Sequence, residues 1–257
     1  MILETPFKHF NEDMNRARDI FAHSKSQADE LLKNDLKRSA WMFAVGATDS
    51  YFCDAFGDML ARTLRAKQKQ PEITLPERIN QIKIHAISAI RSNPSDGWRW
   101  RMVARSVIEK DNVLSINKIQ ELFNQFFRDN KKLITANSSN FERWLFHRDS
   151  QHRLFGVYKS VYRAASPQQK TAYKKQAVKK FRSRFDLIFQ RRNDCIHNCD
   201  RPKIAIQSAH LQDSYVSKVI EDLIFLVTRC NEDFVAEFPI YLSNLGFSPL
   251  TKNGVGA

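Results

Sequence analysis

Ala40-Trp41-Met42-Phe43-Ala44-Val45-Gly46-Ala47 is apolar on nearly every helical face, and it lies within a stretch, Gln27 to Arg65, that has no proline. A surface helix confines its apolar residues to one stripe, whereas a helix apolar all round has to be enclosed by others. The stretch therefore predicts the buried central helix of a bundle, preceded by a mixed, polar half up to Arg38. Asp49 and Asp54 fall in the buried half, where a lone carboxylate is costly to desolvate. Asp49 is expected either to meet a donor, an arginine of the functional site being the candidate, or to lie at an exposed helix edge.

The flanks extend the same architecture. Phe7, Phe10, Met14, Ala17 and Phe21 recur at three- and four-residue steps and predict a helix over Pro6 to Ala22 with one apolar stripe. Leu75-Pro76-Glu77 opens another, carrying Ile79, Ile82, Ile84, Ile87 and Ile90 as far as Arg91. After the turn signal Ser95-Asp96-Gly97 comes Trp98-Arg99-Trp100-Arg101, an interleaving that suits base stacking or, more commonly, a helix start that buries two indoles. An amphipathic helix over Ile116 to Phe127 and a polar linker, Thr135 to Asn140, lead to Phe141 to Phe146. Residues 92–152 are thus expected to form an inserted or lid-like helical unit. A helix opening near Ser166-Pro167 runs through Phe181, Phe185, Leu187, Ile188 and Phe189, with Pro202 expected to end it. A last helix, about Ser208 to Phe238, carries Val216, Val219, Ile220, Leu223, Ile224, Leu226 and Val227. One domain over 1–245 and a frayed tail over 246–257 complete the expectation.

Composition agrees with this. Only 7 Gly and 8 Pro occur in 257 residues, while Lys, Arg, Gln, Leu, Ala and Phe are plentiful, so the expected fold class is all-α. The length permits a core that needs no disulfides. Four cysteines are too few for a secreted scaffold, and the opening MILETPFKHFNEDM lacks a basic region followed by an apolar one, so a reduced, cytoplasmic protein is expected. No apolar run approaches the ~20 residues of a transmembrane helix, so no membrane association through a span is expected.

The formal charge of +13 favours a polyanionic partner, because binding one releases condensed counterions. An acidic protein or a membrane surface fits net charge equally well. The charge is concentrated: residues 151–185 hold ten Lys or Arg and no Asp or Glu. Solvated faces usually mix both signs, so a phosphate-facing surface is expected, with Lys174, Lys175, Lys179, Lys180, Arg182, Arg184 and Arg191 as RNA-binding candidates.

That run leads into Arg191-Arg192-Asn193-Asp194-Cys195-Ile196-His197. Asn193 and His197 are four apart and share a helical face. Arg192 and His197 are five apart, about 140° around the helix at ~100° per residue, an offset a long arginine can cover. Such a pair suits RNA cleavage through the substrate's own 2′-hydroxyl, with histidine taking the proton and arginine offsetting charge on the phosphoryl oxygens.

Arg192-Asn193-Asp194-Cys195-Ile196-His197 resembles the signature of the HEPN superfamily: Arg, a polar residue, a few variable positions, then His at a helix end. Ala44-Val45-Gly46-Ala47-Thr48-Asp49-Ser50-Tyr51-Phe52 is similar to the buried first helix of its RiboL-PSP branch. The resemblance implies a bundle of four to five helices and a two-fold homodimer with a composite, metal-independent ribonuclease site. It also implies a toxin or antiviral-defence role, with an antitoxin or defence-complex partner. The catalytic residues it implies are Arg192, Asn193 and His197, with Asp49 in support. Arg191 fits the same signature with five intervening residues; the Asn193 that follows Arg192 favours Arg192.

Cys195-x-His197-x-Cys199 invites a metal reading, but zinc needs a fourth ligand and no second ligand pair at suitable spacing is visible. The two cysteines suit small core residues better, and His147 and His152 read as surface residues in a basic neighbourhood. No Gly-rich phosphate loop, Gly-x-Ser-x-Gly elbow or His-Glu-x-x-His pair occurs, so no cofactor or metal is implied. Two rivals remain: a non-catalytic HEPN module that binds RNA or a protein, and an unrelated basic helical adaptor.

Overall fold

The structure, a computed structural model, describes residues 2–80, 114–150, 152–198 and 211–256. All regular structure among them is helical. The α-helices are α1 (Glu4–Lys25), α2 (Glu30–Lys69), α3 (Glu77–Asn80), α4 (Ile116–Phe123), α5 (Ser139–Leu145), α6 (His152–Phe155), α7 (Lys159–Ala164), α8 (Pro167–Asn198), α9 (Asp213–Asn244) and α10 (Pro249–Val255).

The central helix is α2, whose 40 residues span about 60 Å at 1.5 Å per residue. Asp29 starts it by accepting the N–H groups of Leu31 and Leu32, which would otherwise lack partners. Helices α1, α4, α8, α9 and α10 all pack on α2. Trp41, Ala44 and Val45 are buried as expected, but the most enclosed stretch comes later, at Ala55 to Ala61; Gly46 is exposed and Met42 and Phe43 are half-buried.

Phenylalanines knit the bundle together. Phe123 of α4 stacks on Phe234 of α9 at 4.3 Å and takes Phe52 and Phe56 of α2 edge-on at 5.8 Å. A second group joins α5, α6 and α9 to α8: Phe155 stacks on Phe181 at 5.4 Å, with Trp144 and Phe225 beside them. Each buried ring removes roughly 150–250 Å² from water, so these two clusters fix where α8 lies.

Several sequence expectations need correction. The helix from Ile116 stops at Phe123 and passes into a 3-10 turn, Asn124–Phe126. The described part of 92–152 is built into the common core rather than lying over it, since Ile119, Phe123, Phe126, Phe141 and Trp144 are all buried. Helix α9 does not end at Phe238 but continues through Pro239 to Asn244. Proline there forfeits one backbone hydrogen bond, but the next turn is held by Phe238 and Tyr241, which pack on Phe126 at 6.0 and 5.2 Å.

The tail is not frayed. Ser248 caps α10 by accepting from the Thr251 N–H, Pro249 sits in its first turn, and Gly256 closes it at φ 72°. Thr251 and Val255 are buried, and Arg62 of α2 donates to the carbonyls of Val255 and Gly256. The helix expected as far as Arg91 beyond its first turn, the Trp98 to Arg105 segment, Cys199 and the Pro202 helix stop lie outside the described residues.

Candidate active site

Ser166 and Gln169 start α8 reciprocally: the Ser166 N–H donates to the Gln169 side chain at 2.8 Å, and the Gln169 N–H to the Ser166 hydroxyl at 3.3 Å. Such a capping box satisfies two otherwise orphaned donors. The 32-residue helix that follows carries the motif in its last two turns. Phe181, Phe185, Ile188 and Phe189 form the buried stripe, and Trp41 of α2 donates its indole N–H to the Ile188 carbonyl at 3.2 Å. The predicted central helix and the predicted motif helix therefore meet one turn before the motif.

The two arginines go to different places. The Arg191 guanidinium lies over the Trp41 ring, 5.7 Å from its centroid, within cation–π range. Arg192 is half-buried, donates to the Asn193 side-chain Oδ1 at 3.1 Å, and acts electrostatically on Asp49 of α2. Burial pushes the Asp49 carboxyl above its ordinary range, and the Arg192 charge partly offsets this. Asp49 is half-buried rather than exposed, yet its buried Oδ1 accepts no hydrogen bond among the described residues, so the expected donor is not found.

His197 is exposed. Its ~140° offset from Arg192 on an ideal helix goes with a difference in exposure: Arg192 is half-buried and acts electrostatically on Asp49 of α2, while His197 is exposed. Asn193 is half-buried between them. Beside His197, Ile196 is 49 % exposed, and further up the helix Leu187 is 62 % exposed. Cys195 is buried and in no disulfide, in keeping with a small core residue. Among the described residues no group of three His, Cys, Asp or Glu side chains is arranged to hold a metal ion.

The basic run corrects a second expectation. Lys174 pairs with Glu142 at 3.4 Å, Lys180 donates to the His152 carbonyl at 3.2 Å, and Arg182 binds Asn117 and Gln120 of α4. Arg184 pairs at 2.8 Å with Asp222 of α9, which is fully buried and also takes Arg153. Four of the six candidates on the run are therefore internal struts, and only Lys175 and Lys179 are exposed. The missing acids were in the chain all along, on α5 and α9. Asp222 sits inside the apolar pattern Val219, Ile220, Leu223, and a carboxylate on a buried stripe requires a cation from elsewhere; that signal was readable.

Compared with known proteins, the chain matches no protein-family model, no curated protein and no solved structure. No described helix is long and apolar enough to cross a membrane.

Proposed function

We propose that the protein is a metal-independent endoribonuclease of the HEPN type, a cytoplasmic toxin or antiviral-defence effector. The observation that carries this reading is the set of Arg192, Asn193 and His197 at the far end of a long basic helix, with Arg192 opposite the half-buried Asp49 of the central helix. His197, exposed, takes the proton of a ribose 2′-hydroxyl as that oxygen attacks the adjacent phosphorus. The bond to the 5′-oxygen breaks, that oxygen leaves with a proton returned from His197, and the products are a 2′,3′-cyclic phosphate and a 5′-hydroxyl. Arg192 offsets the charge gathering on the phosphoryl oxygens, and Asn193 orients the phosphate or the histidine. Asp49 holds the guanidinium electrostatically until a phosphate competes for it.

A two-fold homodimer belongs to the same reading. Arg192 and His197 leave α8 on different sides, and the exposed Ile196 and Leu187 give that end of the helix an apolar surface. A second copy would bring a histidine to face the arginine and cover these side chains. The same face would suit an antitoxin or defence-complex partner.

The experiment incubates wild type and His197→Ala with total RNA in excess EDTA and maps the cleaved ends. Cleavage by wild type alone, leaving cyclic phosphates, is expected; equal cleavage by both removes His197 from the mechanism. The divergence of Arg192 from His197 also favours a second reading, a non-catalytic HEPN module in which the motif holds the dimer. Dimer loss in His197→Ala, measured by sedimentation with no cleavage by either protein, would select it.

A further inference from the structure

The geometry points to a base-stacking platform for single-stranded RNA, formed by His152 and Tyr158 beside the basic face of α8. It rests on the RNA-binding part of the proposed function and is independent of cleavage. The two rings stack with centroids 4.0 Å apart and planes 13° from parallel. Tyr158 is 59 % exposed, and Val161, one turn on, is 47 % exposed. Their chain neighbours Phe155 and Tyr162 are buried and already anchor this segment, so Tyr158 is not needed for the core.

The platform is fixed to α8. Gly156, at φ 72°, turns the chain between the two rings, and a β-carbon there would come within 2.9 Å of the Lys180 stem, so the lysine lies directly on the glycine. The Lys180 ammonium bonds the His152 carbonyl, and Phe155 stacks on Phe181. The exposed rings are therefore held in a set position.

Charge completes the match. Lys159 and Arg163 of α7 and Lys175 and Lys179 of α8 are exposed, while the acids Glu142, Glu221 and Asp222 are taken by Lys174, Arg153 and Arg184. A flat π-face flanked by cations is what single-stranded nucleic acid binds, the rings taking bases and the cations tracking phosphates. An acidic protein would use the cations and leave the rings idle, and duplex RNA hides its base faces. Seventeen residues of α8 separate Lys180 from His197, ~26 Å of helix. A stacked strand at about 3.4 Å per nucleotide would cover that distance in roughly eight nucleotides. The platform would thus hold the strand one segment away from the bond to be cut.

The test uses the full chain carrying His197→Ala, so that binding is read without cleavage, and an unstructured fluorescent 16-nucleotide RNA in EDTA. Adding Tyr158→Ala is expected to weaken binding about 5- to 150-fold, the range for loss of one base–aromatic stack. Tyr158→Phe should retain affinity, which excludes a folding defect, and the salt dependence should not change because no phosphate contact is lost. Against a probe with abasic sites throughout, the parent and Tyr158→Ala should bind alike. Unchanged affinity in Tyr158→Ala, an equal loss against the abasic probe, or failure of the parent to bind RNA would each overturn the platform. Failure of the ribonuclease reading alone would leave this comparison intact.

Discussion

Asp222→Asn tests whether the arginines of α8 hold the bundle together or face RNA. The wild-type carboxylate is fully buried and accepts from Arg153 at 2.9 and 2.6 Å and from Arg184 at 2.8 Å, tying α6, α8 and α9 at one point. The amide keeps one acceptor oxygen but turns an NH2 toward the other guanidinium, and the two cations, with side chains 24 % and 15 % exposed, then face each other with only Glu221, paired to Arg153 at 3.0 Å, left to compensate. Removing one member of a buried ion pair costs about 3–5 kcal/mol. For a chain of this size that is a fall in melting temperature on the order of 10 °C, to be read by circular dichroism together with urea titration. RNA affinity should not fall under conditions where the variant is folded, because no cation is lost. The companion Arg184→Leu should lose comparable stability yet reduce RNA affinity less than Lys179→Ala does. A loss below about 1 kcal/mol in Asp222→Asn, or Arg184→Leu that is stable but poor at binding RNA, would refute the strut assignment.

Three further variants probe other parts of the structure. Asp233, fully buried between Arg143 and the Trp144 indole N–H, has its carboxyl pushed by burial from 3.8 up to about 7. Between those values the folded chain holds a proton that the unfolded chain has released, so raising the pH from about 4 to 7 removes up to about 4 kcal/mol of stability through this group. Urea titrations across that window should show a shallower decline in Asp233→Asn, and an unchanged pH slope would count against it. At the motif, Arg192→Ala should abolish cleavage and drive the Asp49 carboxyl still higher, visible by carbon NMR of the carboxylate. Arg191→Ala should instead cost roughly 0.5–1 kcal/mol of stability through its loss from Trp41 and leave cleavage in place; loss of cleavage in Arg191→Ala alone would exchange their roles.

The long helices were legible because their apolar residues repeat at helical spacing and each buries its own stripe, as with Phe10, Met14, Ala17 and Phe21 in α1 or Val216, Val219, Ile220 and Leu223 in α9. What the sequence hid was set by partners far away in the chain. Glu142 neutralises Lys174 and Asp222 neutralises Arg184 across 32 and 38 residues, so a run without acids looked like a bare positive face. The last helix was expected to end at Phe238, one residue before Pro239; that residue's cost is local, whereas the packing of Tyr241 on Phe126 that accompanies the continuing helix is not. The polar tail looked frayed because its last carbonyls, of Gly254, Val255 and Gly256, find their donors in Lys69 and Arg62 of the distant α2. At the motif, spacing alone put Asn193 and His197 on one face, but that Arg191 lies over Trp41 while Arg192 acts on Asp49 depended on how α2 packs against α8.

Asp58 of α2 accepts the Leu3 N–H at 3.2 Å and the Arg62 Nε–H at 2.8 Å, and the same guanidinium grips the carbonyls of Val255 and Gly256. The two extremities of the described chain are thus fastened to adjacent side chains one helical turn apart on a single helix. Because Asp58 and Arg62 also pair with each other, Arg62→Ala would loosen α10 directly and at the same time free the carboxylate that holds the start of α1.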